Sequence, residues 1–208
     1  MIERVEVPEK HWFQTYTGKI FHPFDPDPKM IDIEDIAHAL SLICRFSGHV
    51  KEFYSVAEHS VHVARVFDEL VKDTSLEGNH RASVCALLHD ATETYCGDMI
   101  RPIKEGIIEY QKMEAEIEEM VIQHFGLVDV WWAAHPYVKQ ADNIMLATER
   151  RDLLTEGPGR DDRRWVIDEQ GVKASERHVF AMHPEDAKEW FLGEYGLFVS
   201  REEQQKAL

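Results

Sequence analysis

Four side chains of ligand type stand at helical spacing among apolar neighbours: His59 in SVAEHSVHVA, the adjacent His89 and Asp90 in ALLHDATE, and Asp142 in VKQADNIM. An imidazole or carboxylate on a buried face costs free energy unless a partner compensates it. A lone inward histidine is most often a hydrogen-bonded core residue, and Asp90 or Asp142 alone could pair with a buried Arg. Three separate segments presenting such groups together have a simpler solution, which is one shared cation. Two imidazoles and two carboxylates suit a divalent ion such as Mn, Fe, Co, Zn or Mg, and four protein ligands leave positions open for water and substrate. Such an ion lowers the pKa of its water from about 15.7 towards 7 and polarises phosphoryl oxygens. Glu93, one turn after His89, falls on the same face and could accept the water proton. Asp98 could donate to a departing oxygen if the two environments push the carboxyl pKa values apart. Arg45, in LICRFSGH, offers a planar fork for phosphate oxygens. Each supporting residue also has a structural alternative. Glu93 could be a solvent-facing helix acid, Asp98 a turn cap before Ile100, Lys104 a surface lysine, and Arg45 a structural partner for neighbours of Asp142.

The elements that must position these groups read as helices. From Asp32, a capping type, Ile33, Ile36, Ala37, Leu40 and Ile43 recur at helical spacing, with Gly48 as the expected stop. EHSVHVARVFDELV puts His59, Val63, Val66, Phe67 and Leu70 on one face, so His59 points inward. RASVCALLHDATETY reads as one helix aligning Ala82, Cys85, Ala86, His89 and Glu93, with His89 and Asp90 about 100° apart around its axis. EYQKMEAEIEEMVIQHFG and YVKQADNIMLATERRDLL continue the pattern, the latter aligning Val138, Asp142, Met145 and Glu149. HPEDAKEWFLGEYG opens with Pro184 and acids in its first turn, as helix starts prefer. Two stretches read otherwise. Residues 1–30, with three prolines in FHPFDPDPKM, are expected to be irregular. Residues 155–178, rich in Gly and charge, are expected to form a long polar loop, with a short hairpin around RRWVIDEQGVK and the character of a flap.

The fold class is therefore all-α, a helical bundle in a single domain over 1–208, with a core at about 31–155 and a C-terminal helix and tail at 179–208. At 208 residues and 44% hydrophobic content the chain can bury a sizeable core. A formal net charge of −16 argues against coating a nucleic acid polymer, so an anionic substrate must meet a local positive site. Cys44, Cys85 and Cys96 make no CxxC pair and no even disulfide framework. With no basic start plus apolar run at MIERVEVPEKHWF and no long uncharged apolar stretch, a soluble cytoplasmic protein without membrane association is expected. His62, one turn after His59, could approach a second metal.

The ordered blocks EHS, HDATE followed by GD and then P-x-K, and VKQAD resemble the HD-domain metal-dependent phosphohydrolases, whose signature is H…HD…D, and most closely their YfbR-like 5'-deoxynucleotidase branch. The resemblance spans roughly residues 36–155. It implies an HD-domain helical fold in which His59, His89, Asp90 and Asp142 bind the metal. Glu93 would orient or deprotonate the attacking water, and Asp98 would act at the leaving-group side. Arg45 matches a family arginine that grips phosphate, and Lys104, in IRPIK, is a further candidate for neutralising charge. Phe46 stands where the family pattern leads one to expect Trp after the arginine, a departure that bears on sugar and base selectivity. The implied activity is a 5'-nucleotidase releasing phosphate from (deoxy)nucleoside monophosphates, in a homodimer. A deoxynucleoside triphosphate triphosphohydrolase is the alternative enzyme, and a non-catalytic metal-containing nucleotide sensor the alternative of another class. HD-GYP phosphodiesterases would need GYP after the HD pair, where this chain has ATETYCGD, and guanosine tetraphosphate hydrolases an ED pair, where Ala91 and Thr92 intervene.

Overall fold

The structure, a computed structural model, describes residues 11–155 and 165–207. Its architecture is helical, as the periodicity predicts, with one small hairpin in the segment expected to be irregular. Strands β1 (Phe13–Gln14) and β2 (Ile20–Phe21) pair antiparallel, Phe13 opposite Phe21. Gly18 at φ 88 closes the turn, a left-handed conformation that costs a glycine nothing. What holds the hairpin is aromatic packing, since fully buried Phe21 stacks on Tyr95 with centroids 4.1 Å apart.

Helix α1 (Ile33–Leu42) starts where Asp32 accepts a hydrogen bond from the Glu34 N–H, 2.9 Å away. It ends six residues before Gly48, because Cys44 leaves the helix to bridge Ser55 in β fashion. A 3-10 turn over Arg45–Gly48 follows, in which Phe46 and Ser47 take left-handed φ values of 55° and 51°. Helix α2 (Val56–Leu70) begins with a capping box in which Ser55 and Glu58 satisfy each other's backbone N–H groups. Helix α3 (His80–Leu87), helix α4 (Glu93–Cys96), helix α5 (Arg101–Lys104) and helix α6 (Ile108–His124) come next. Helix α7 (Trp131–Leu153) starts earlier than its apolar pattern, carrying Pro136 inside. The expected hairpin near 165–173 is instead helix α8 (Val166–Glu169), because the Asp168 carboxylate accepts from the Trp165 N–H at 2.8 Å and starts a helical turn. The rest of that loop expectation, at 156–164, lies outside the described residues. Helix α9 (Pro184–Lys206) runs through Gly193 and Gly196.

Helix α2 is central, packed on α3, α7 and α9, while α9 also covers α1 and α3. The shared core contains Phe67, Leu87, Leu88, Met145 and Phe191, all essentially without solvent exposure. Burying each such side chain contributes about 2 kcal/mol. The three helices expected to carry ligands therefore meet around one axis: α2 packs on α7, and the end of α3 lies against both. No described helix is long and apolar enough to cross a membrane.

Candidate metal centre

The orientation of the two imidazoles follows from their outer nitrogens. His59 Nδ1 lies 2.6 Å from Glu149 Oε1, and His89 Nδ1 lies 2.9 Å from the Ala86 carbonyl oxygen. Both partners accept hydrogen bonds, so both Nδ1 atoms are the donors and each Nε2 would present its lone pair to a bound cation. Those two Nε2 atoms are 3.3 Å apart. Asp90 Oδ2 lies 3.2 Å from His89 Nε2 and 3.5 Å from His59 Nε2, and Asp142 Oδ1 lies 3.4 Å from His59 Nε2. His59 Nε2, His89 Nε2 and Asp90 Oδ2 thus converge, with Asp142 Oδ1 beside His59. Two ligand atoms each about 2.1 Å from an ion and at the tetrahedral angle stand about 3.4 Å apart, so the spacing of His59, His89 and Asp90 suits a divalent metal. His59, His89 and Asp90 form a group that could hold a metal ion, and Asp142 adjoins it at His59 Nε2.

The segment carrying His89 and Asp90 differs from the continuous helix expected. Helix α3 stops at Leu87, and the Ala91, Glu93 and Thr94 N–H groups bond back three residues, to Leu88, Asp90 and Ala91. The cause is local: the His89 ring itself takes the Ala86 carbonyl, which an α-helix would otherwise leave to a backbone N–H. The tight turn brings two successive side chains to one point where a helix would splay them.

Around this cluster lies a ring of charge. Fully buried Glu149 bonds His59 through one oxygen and Arg45 Nε through the other, at 3.1 Å. Arg45 also reaches Asp90 Oδ2 at 3.5 Å. Burial alone would raise the Glu149 pKa, but the Arg45 and His59 charges outweigh it and hold the carboxyl below its usual range. Burial works likewise against Asp142, where His59 and Lys139 prevail, and against Asp90, where His89, His59 and Arg45 prevail. On His59, burial and Arg45 oppose a positive charge, yet Glu149 and Asp142 raise its pKa to about 9. The site thus demands positive charge on its inner edge.

Glu93 sits behind Asp90 with Oε2 buried and without a hydrogen-bond partner among the described residues. Burial first, then the Asp90 and Asp98 carboxylates, push its pKa well up. Burial also raises Asp98, against the pull of Arg45. Lys104 is turned to Glu114, 2.5 Å away, and that pair outweighs burial to raise its pKa. The Phe46 ring lies under the Arg45 guanidinium, 5.5 Å from centroid to Cζ, and 6.4 Å from the Trp165 ring. His62 stands apart, packed edge-on against Trp190 at 5.0 Å. Sequence reasoning missed Glu149 and Trp165 as site residues. Glu149 did carry a signal, as an acid aligned with Asp142 on an apolar face, whereas Trp165 carried none.

Comparison with known proteins gives this geometry relatives. YfdR of Escherichia coli is 37% identical over 191 residues, covering 91% of this chain and 93% of the relative. A protein of Rhodobacter capsulatus is 33% identical over 159 residues, covering 74% of this chain and 79% of its own. The model of the YfbR-like 5'-deoxynucleotidase family matches residues 35–128, which include His59, His89, Asp90, Glu93 and Asp98. The chain belongs to the YfbR-like family of HD-domain phosphohydrolases. A 5'-deoxynucleotidase of Pectobacterium atrosepticum is 37% identical over a shorter stretch of 78 residues, 33% of this chain and 39% of that protein. Among solved structures, the HD phosphohydrolase DatZ of cyanophage S-2L, bound to dA and one catalytic Zn2+ ion, covers 79% of this chain and 95% of its own with a TM-score of 0.54. At 18% identity this is a likeness of fold, and it confirms the HD-domain helical architecture for the YfbR-like chain.

Proposed function

We propose that this YfbR-like chain is a 5'-nucleotidase that hydrolyses (deoxy)nucleoside monophosphates to nucleoside and orthophosphate. The observation that carries the reading is the convergence of ligand-type atoms from His59, His89 and Asp90, with Asp142 adjoining at His59, beside a buried Glu93 carboxylate oxygen with no hydrogen-bond partner among the described residues. A divalent ion held by the four would activate water near neutral pH and polarise the phosphoryl group. Mn, Co, Zn, Fe and Mg all suit this mixed nitrogen and oxygen set.

The chain's own residues supply the rest. Glu93 Oε2 accepts the proton of the attacking water, whose oxygen forms the new bond to phosphorus as the bond to the ribose O5' breaks. Asp98 returns a proton to O5'. Arg45, anchored by Glu149, neutralises phosphate oxygens, with Lys104 adding longer-range positive charge. Phe46 fixes the Arg45 guanidinium from below and borders the sugar. The named activity of the Pectobacterium relative and the dA bound by DatZ support a deoxynucleotide substrate. The three free cysteines accord with the reducing cytoplasm, and family resemblance supports a homodimer.

Chromatographic product analysis tests the reading. Purified protein with Mn, Co, Zn or Mg is incubated with ribo- and deoxynucleoside mono- and triphosphates. Nucleoside plus orthophosphate from monophosphates is the expected result. Nucleoside plus intact triphosphate would establish the triphosphohydrolase, and no product from any nucleotide would favour the sensor.

A further inference from the structure

Resting on the nucleotidase reading above, we propose that Trp165 is a positioning residue for phosphate binding, which acts by bracing Phe46 and, through it, the Arg45 guanidinium. A chain of contacts ties it to the candidate metal centre. Arg45 reaches Asp90 Oδ2 at 3.5 Å, and its Cζ stands 5.5 Å from the centre of the Phe46 ring. That ring lies 6.4 Å from the Trp165 ring at 51°, and Arg150 Cζ stands 4.8 Å over the indole. These three ring separations lie within the ranges over which an aromatic ring attracts another ring or a cation. Successive residues of α7 hold the two ends of the stack. Glu149 accepts from Arg45 Nε at 3.1 Å, while Arg150, paired with Asp168 at 2.6 Å, covers Trp165.

The segment that Trp165 braces is strained. Phe46 and Ser47 take φ values of 55° and 51°, in the left-handed region that residues other than glycine rarely adopt and that persists only where the surroundings fix it. Backbone bonds do part of the fixing: the Arg45 N–H donates to the Tyr54 carbonyl at 2.9 Å and the His49 N–H to the Phe46 carbonyl at 3.0 Å. The Phe46 ring itself is held between Arg45 and Trp165. Arg45 commits Nε to Glu149 and Nη1 to Asp90, whereas Nη2 makes no hydrogen bond among the described residues, so Nη2 is the donor left for a phosphate oxygen. Without the indole the Phe46 ring loses its outer support, and the guanidinium that packs on it presents Nη2 over a wider spread of orientations. Ordering such a group at the moment of binding costs affinity.

The test compares Trp165→Ala and Trp165→Phe with wild type, using a deoxynucleoside monophosphate as substrate with the same metal. Trp165→Ala is expected to raise KM by about two- to tenfold, the worth of one aromatic pair, with kcat within about twofold of wild type. Metal content is expected to stay at the wild-type level, since Trp165 acts through Phe46 and not on the ligands. Trp165→Phe, which keeps a ring against Phe46, is expected to restore most of the loss. An unchanged KM in Trp165→Ala overturns the proposal, as does a loss confined to kcat, a loss of metal, or a defect that Trp165→Phe leaves in full. Should wild type hydrolyse no nucleotide, the nucleotidase reading fails by itself, and calorimetric titration of the metal-loaded protein with orthophosphate still decides the role of Trp165. Orthophosphate bound more weakly by Trp165→Ala than by wild type supports it, and equal binding, or none to wild type, overturns it.

Discussion

Glu149 gives the sharpest prediction, because one buried carboxylate supports two functional groups at once. Its Oε1 holds His59 Nδ1 at 2.6 Å and its Oε2 holds Arg45 Nε at 3.1 Å, with no exposure to solvent. Removing one partner of a buried ion pair costs about 3–5 kcal/mol, since the other charge is left unpaired. Arg45 would retain only the longer 3.5 Å contact to Asp90. For a domain of this size each kcal/mol moves Tm by about 2–4 °C, so Glu149→Ala should melt roughly 6–20 °C below wild type. His59 would lose the acceptor that fixes its tautomer, and losses of that kind weaken metal binding by about 10–100-fold. Glu149→Gln keeps the volume and a carbonyl acceptor for His59 but offers an N–H donor to Arg45, so its loss of stability should be intermediate. Thermal unfolding of the metal-free protein and calorimetric titration with Zn2+ read the two effects separately. Wild-type Tm together with a metal Kd within about twofold of wild type would refute the reasoning.

Two further predictions concern groups away from the cluster. Burial, reinforced by the His59 and Arg65 charges against Glu149, depresses His62 to about 4, below the usual value near 6.5, so the folded state binds fewer protons than the unfolded one. Its contribution is intact above about pH 6.5 and should be lost as pH falls towards 4, by up to about 3 kcal/mol, and urea unfolding across that window should show a shallower loss in His62→Gln. Burial pushes the Cys85 and Cys96 thiols up to about 12, so alkylation at pH 8 should modify Cys44 first, and mass mapping that finds Cys85 or Cys96 modified before Cys44 in the folded protein would contradict those raised values.

Much of the candidate site was legible because its proposed ligands obey the same periodicity as the core. His59 in α2 and Asp142 in α7 sit among apolar residues at helical spacing, and both helices form with those faces inward. The break after Leu87 was not legible, since the apolar rhythm runs on through Leu88 and Ala91 while a side-chain bond from His89 to the Ala86 carbonyl ends the helix. Periodicity cannot report a side chain competing for backbone. The partnership of Arg45 with Glu149 joins residues 104 positions apart, and spacing along the chain holds no information on which buried cation meets which buried acid. The hairpin near the N-terminus escaped for a similar reason: two-residue strands have too few positions to show alternation, and Phe21 is fixed by Tyr95 from a distant segment. Trp165 reaches Phe46 only because a helical turn forms where turn-type residues pointed to a hairpin.

The most direct test of the central claim measures metal content and phosphate release side by side in wild type, Asp90→Ala and Glu93→Gln, with a deoxynucleoside monophosphate as substrate. Wild type should hold a divalent ion and release phosphate, and Asp90→Ala should lose both. Glu93→Gln should keep the ion and lose turnover by about 10²–10⁴-fold, the contribution typical of a positioned proton acceptor. A Glu93→Gln enzyme of wild-type rate, or an Asp90→Ala enzyme that keeps both metal and activity, would contradict the account.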